Sequence, residues 1–262
     1  MYWAVLKHAL ARAGRDNLGL AAAGVAFFAF LAFVPLLGAM VLVYGIVASP
    51  ATVAANIGEL SALLPESAAK LIGAQLESLV EGSDGTKGIG LLIAIAVALF
   101  GARNGAAALM AGLDIAYDTA ETRGFIERNL LALLITGGAI VGLGLVALAL
   151  TVAGLVNDRL AFAASYAILF ASGTLGALLL YRYAPDRPVA VWRRALPGAI
   201  IFALGWLSAT VLFGVYVTNL ANYNATYGSL GAVMVLLTWL YLSAYLLLFG
   251  AALNVQIASR RG

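Results

Sequence analysis

Long apolar stretches, each separated from the next by polar or charged residues, recur along the whole of this 262-residue chain. The first, Leu18 to Val47, is thirty uncharged residues long. At about 1.5 Å per residue it exceeds a hydrocarbon core of roughly 30 Å, so a helix there must tilt or bend. Pro35, near its middle, lacks a backbone donor and crowds the preceding turn, which predicts a kink at that point. The second stretch is uncharged only from Gly88 to Ala102, too short to cross alone, and is expected to continue through Arg103 and Asn104, giving a span over 88–113 with Arg103 near its inner boundary. Further spans are predicted at 130–156, 160–181, 195–218 and 229–258. The last two share one charge-free segment, divided by the polar group Asn219, Asn222, Tyr223, Asn224, Thr226, Tyr227 and Gly228.

Two regions have a different rhythm. Within 1–16, Trp3, Leu6 and Leu10 recur at helical spacing with Lys7, Arg12 and Arg15 mostly off that face, the pattern of a helix lying among headgroups. Within 51–81, Val53, Ile57, Leu60 and Leu64, then Ala68, Ile72, Leu76 and Leu79, follow helical spacing and are interleaved with four glutamates. Pro65 suits the first turn of a second helix, which predicts two amphipathic helices on the outer surface or capping the bundle. A strand barrel would show short alternating segments, whereas continuous runs of this length require helices to satisfy their backbone. The expected architecture is therefore all-α. It is a single integral membrane domain over 1–262, a polytopic bundle of six transmembrane helices with an N-terminal interfacial helix and amphipathic outer-surface helices.

Composition agrees with lipid as the solvent: 63% hydrophobic residues, 10% charged residues and a mean hydropathy of +1.00 leave too little polar surface for a water-soluble globule. Charge then orients the bundle. Twelve of the fifteen Lys and Arg fall into four clusters at the ends of apolar runs: Lys7, Arg12 and Arg15; Arg103, Arg123 and Arg128; Arg182, Arg187, Arg193 and Arg194; Arg260 and Arg261. Six spans put both termini on one side, and the cation excess assigns that side to the cytoplasm. The cations form neither a stripe nor a tail, so no nucleic acid is expected. The first apolar run is too long for a cleaved signal peptide and reads as a retained span.

Laid out in order, these blocks are similar to the YihY/virulence factor BrkB family of bacterial inner-membrane proteins, once misassigned as ribonuclease BN. Ala22 to Leu37 resembles the family's aromatic-rich first helix leading into Pro35. Leu113 to Tyr117, Arg123 to Phe125 and Asn129 to Thr136 resemble its central loop, and Tyr181 to Pro185 with Pro197 and Gly198 resemble the approach to its fifth span. The most specific block is Tyr223 to Asn254, with YGSLGAV, WLYLSAY and FGAALN in fixed order. The chain departs from the pattern at Ala32, where the family usually shows Ser, at Asp114, usually Asn, and at Ala252, usually an acid. If the family moves protons or cations through that last position, this member lacks the group, and Gln256 one turn on cannot replace its charge.

The residues that could carry function are few. Arg103 and Asn104 lie where apolar residues would cost less, and an intramembrane arginine costs roughly 3 kcal/mol or more; the plainer alternative is an interfacial arginine contacting lipid phosphate. Asn219, Asn222, Tyr223 and Tyr227 could offer amides and hydroxyls to a polar solute or headgroup, or form an ordinary turn with interfacial tyrosines. Asn254 could line an inner vestibule or bond a neighbouring helix. Asp114 is expected to tether a loop through Arg123 or Arg128. Gly228 and Gly231 are expected to let another helix approach closely.

Catalysis finds no footing in these residues. His8 is the only histidine, no G-x-S-x-G elbow, H-E-x-x-H or phosphate-cradling G-x-x-x-x-G-K-[ST] occurs, and there is no cysteine. We therefore expect no enzyme, no catalytic residue, no metal and no cofactor. The leading expectation is transport of a lipid-like or small polar solute in envelope homeostasis, and the alternative is a non-transporting scaffold for envelope proteins. The partners expected are membrane lipids and a small-molecule or lipid substrate, with a homo-oligomer left open.

Overall fold

A computed structural model describes residues 2–47, 84–119, 122–154, 158–186, 192–220 and 229–259. Among them every regular element is an α-helix: α1 (Tyr2–Arg15), α2 (Leu18–Val47), α3 (Asp84–Tyr117), α4 (Phe125–Gly154), α5 (Asp158–Tyr183), α6 (Trp192–Leu220) and α7 (Ser229–Ala258). Five of these are long and apolar enough to cross a membrane, and α1 with the first part of α2 forms a pair bent by 68° at the break between them. The expected amphipathic helices of 51–81 lie outside the described residues, as do Asn222, Tyr223, Tyr227 and Gly228. Pro35 falls inside α2, whose helical run continues through it to Val47.

The chain divides into two compact units, one formed by residues 1–30 and 103–262, the other by 31–102. In the second, α2 and α3 come close: a Cβ on Gly101 would lie 2.8 Å from the Ala32 backbone. In the first, α6 packs along α7, α5 along α6 and α4 along α5, while α1 lies against α7. Its core is built largely from small residues, such as Ala106, Ala132, Ala177, Ala199, Ala251 and Ala252, with Leu113, Met110, Tyr181 and Leu248 among the larger members. Small side chains let helix backbones approach where lipid supplies no hydrophobic drive for association. By contrast Leu133, Leu134, Ile140, Val141, Leu143 and Leu148 on α4 are exposed, the condition of a helix whose outer face meets lipid.

The N-terminal helix packs against the bundle through small residues. Ala9 and Ala13 are buried against the bundle, while Leu10 is 50% exposed. The contact face is thus set by small residues one turn apart, which fit against α7, and the bulky leucine is left outward. Asn17, at φ 51°, makes the sharp turn into α2, a conformation that asparagine tolerates better than most residues. Arg12 donates to Asp16 at 3.0 Å just before it.

Candidate functional site

Three polar groupings stand out against this apolar background. The first lies where α6 crosses α7. Pro197 interrupts the amide pattern of α6, and the Asn254 side chain satisfies the backbone on both sides of it. The Gly198 N–H donates to Asn254 Oδ1 at 2.7 Å, and Asn254 Nδ2 donates to the Ala195 carbonyl at 3.1 Å and to the Tyr117 hydroxyl at 3.4 Å. Glycine is required here by space: a Cβ on Gly198 would overlap the Gly250 carbonyl and the Asn254 amide, and one on Gly250 would overlap the Tyr181 hydroxyl. That hydroxyl donates to the Leu247 carbonyl at 2.7 Å, and the rings of Tyr181 and Tyr117 meet edge to face at 6.3 Å. Asn254, expected either to line a vestibule or to bond a neighbour, is buried and saturated by helix backbone.

The second grouping ties the loop after α3 to the turn after α5. Asp114 Oδ1 accepts from the Asp186 backbone N–H at 2.7 Å and from the Thr119 hydroxyl at 2.9 Å. Asp118, at φ 58°, turns the chain out of α3 so that Thr119 can reach back. Arg123 donates from Nη1 to the Ala184 carbonyl at 2.9 Å and from Nη2 to the Pro185 carbonyl, and its Nε lies 3.3 Å from Asp186 Oδ1. Thr122 completes the set by donating to Asp186 Oδ2 at 2.6 Å. The Arg123 and Asp186 side chains are 9% and 5% exposed, and Asp114 is 4% exposed. Asp114 and Arg123 therefore both tether the loop, but each does so by holding the Ala184–Asp186 turn. Arg128 begins α4, its N–H donating to the Gly124 carbonyl. Beside this cluster the Arg182 guanidinium lies 5.5 Å from the Tyr183 ring and 4.9 Å from the Trp192 ring, joining the end of α5 to the start of α6.

These contacts bring the ends of α3, α5 and α7 and the starts of α4 and α6 together at one end of the bundle. Arg123, Arg128, Arg182, Arg193 and Arg194 lie there, so we call it the basic end. Arg103 does not. Because α3 runs unbroken to Tyr117, Arg103 sits fourteen residues, about 21 Å, from that end and sixteen residues, about 24 Å, beyond Lys87. The helix extends past the expected limit at 113 to Tyr117, and Asp114 in its last turn is bonded to Thr119 and Asp186. Arg103 Nη1 donates to Asn104 Oδ1, and both residues are partly buried.

Asn219 lies in the last turn of α6, and Gly231 is buried in the first turn of α7. Ala252, where an acid was expected from the resemblance, is wholly buried in the core. Sequence reasoning missed Thr119, Thr122, Asp186, Tyr181 and Gly250. The only available signal was that Asp186 follows the Tyr181 to Pro185 block directly. Among the described residues no group of His, Asp or Glu could hold a metal ion.

Comparison with known proteins places this geometry in context. Residues 9–262 match the sequence family described as Virulence factor BrkB. A putative ribonuclease-like protein, YfkH of Bacillus subtilis, is 34% identical over 220 residues, covering 78% of each chain. A UPF0761 membrane protein of Nitrosospira multiformis is 26% identical over 98% of this chain and 61% of its own length. Another, of Aromatoleum aromaticum, is 28% identical over 91% of this chain and 60% of its own. The chain thus spans about three-fifths of these two UPF0761 relatives. No solved structure matches the fold.

Proposed function

The chain belongs to the Virulence factor BrkB family of membrane proteins, and from that premise we propose that it is a transporter of a lipid-like or small polar solute in the bacterial inner membrane. In this reading α2 is the first of six spans, joining the five helices already long and apolar enough to cross. Both termini lie in the cytoplasm, because the basic end collects the interhelical cations and such residues remain inside. The chain works without enzymatic chemistry or cofactor. The name of the Bacillus subtilis relative does not extend to it, since RNA cleavage needs a metal cluster or an acid and base pair.

The observation that carries the reading is Arg103, a guanidinium placed about midway along α3 with a neutral amide as its hydrogen-bond partner. A helix that only had to pack would carry an apolar residue at that depth. The alternative, a non-transporting scaffold for envelope proteins, draws support from the dense hydrogen bonding of the basic end. The two separate in liposomes: purified protein should accelerate the movement of at least one labelled lipid or solute over protein-free vesicles. Flux equal to the controls across a panel of lipids and polar solutes would leave the scaffold standing.

A further inference from the structure

Arg103 shares a helix face with the residues that seal the basic end. Counting along α3 in steps of three, four and seven, the face runs from Arg103 through Ala106 and Met110 to Asp114. Ala106, Met110 and Asp114 on that face are buried in the bundle. Toward the other end of the same face Leu99 is 44% and Leu92 69% exposed, so the partly buried Arg103 stands where the face passes from exposed to buried, two turns from the completely buried Met110. Its guanidinium offers five N–H donors, and among the described residues the structure gives it one acceptor, the uncharged Oδ1 of Asn104. No carboxylate of the described residues pairs with it. The chain places acids at the basic end, where Asp114 and Asp186 are held, and leaves α3 without a negative charge from Lys87 to Leu113.

A fixed cation at this border of the buried face, unneutralised by the described residues, is costly unless an anion visits it. We propose that Arg103, with the Asn104 side chain orienting its guanidinium, is an intramembrane binding site for an oxyanion, a phosphate or carboxylate group. The planar fork of donors suits two oxygens of such a group at once. Resting on the transport reading above, the site makes the cargo a negatively charged one, either an anionic lipid headgroup or a free small oxyanion.

The test uses the full chain purified in neutral detergent and followed by thermal melting, with flux into liposomes measured in parallel. Phosphatidylglycerol is compared with phosphatidylethanolamine, and inorganic phosphate with chloride at equal ionic strength. Wild-type protein is expected to melt higher with one of the two anions, phosphatidylglycerol marking a lipid source and inorganic phosphate a soluble one. Arg103→Leu should melt above wild type without ligand, since an uncompensated cation has been removed, and should weaken the half-saturating anion concentration by about tenfold or more. Arg103→Lys should fall between them. If neither anion raises the wild-type melting temperature, or if both raise Arg103→Leu equally, the site is overturned. Unimpaired flux of an uncharged solute by Arg103→Leu would overturn an anionic cargo while sparing transport. Anion binding that depends on Arg103 without any flux would uphold the site and remove the transport reading.

Discussion

Asp114 and Arg103 stand eleven residues apart on one face of α3, yet their surroundings are opposite. Around Asp114 the protein supplies partners: a backbone N–H, a hydroxyl, and, through Asp186, an arginine that also closes two carbonyls. Around Arg103 it supplies one neutral amide oxygen. Charge in the first region is used to hold helices together: Arg123 meets two carbonyls and a carboxylate, and Asp114 Oδ1 meets two donors while its buried Oδ2 meets none among the described residues. Charge in the second does no comparable holding. The lesson is that charged residues inside a bundle are distinguished by which separate segments their partners join more than by their depth.

Substitutions can break or sharpen that contrast. The largest effect is expected from Arg123→Ala, which removes the guanidinium beside the buried Asp186 carboxylate and frees the Ala184 and Pro185 carbonyls. It should lower stability by about 3–5 kcal/mol, read as loss of the folded fraction in graded denaturant in detergent; wild-type unfolding would show that the loop cluster does not hold the basic end. Gly198→Ala should follow, costing about 1–3 kcal/mol because its methyl has nowhere to go between Gly250 and Asn254. The same unfolding assay checks it, and tolerance of alanine would mean that the helices are not in this close approach. Arg103→Leu should move the other way, gaining roughly 1 kcal/mol or more without ligand; a loss of stability would place Arg103 with the structural charges. Smallest is Tyr181→Phe, expected to cost about 1 kcal/mol by removing the bond to the Leu247 carbonyl while keeping the ring, with thermal melting as the measure.

Much of the fold was legible from hydropathy alone. The expected limits 229–258 coincide with α7, and α4, α5 and α6 each extend a few residues beyond the apolar runs that announced them. They extend because interfacial residues such as Glu127 and Arg128, or Trp192 and Arg193, continue a helix after lipid has ended. What hydropathy could not reveal is which polar residues meet. Gly198 and Gly250 look like any small residues until two backbones are brought together, and Asp186 looks like a loop acid until Arg123 and Thr122 arrive from 60 or more residues away. Asn254 showed the same limit, since its sequence allowed either a water-lined or a packed role and only the position of Pro197 decides between them. At Arg103 the uncharged run ends at Ala102 while the helix continues, as expected, and it runs four residues past the expected limit to Tyr117.

The account rests on a basic end that is closed and cytoplasmic and on an arginine that can be reached from the opposite side. Because the chain has no native cysteine, single cysteines at Thr122, Arg103 and Asn254 can be labelled in right-side-out and inverted membrane vesicles with a small membrane-impermeant thiol reagent. Thr122→Cys should react only from the cytoplasmic face, Arg103→Cys only from the periplasmic face, and Asn254→Cys from neither. Labelling of Thr122→Cys from the periplasm, or of Arg103→Cys from the cytoplasm through the packed end, would contradict it.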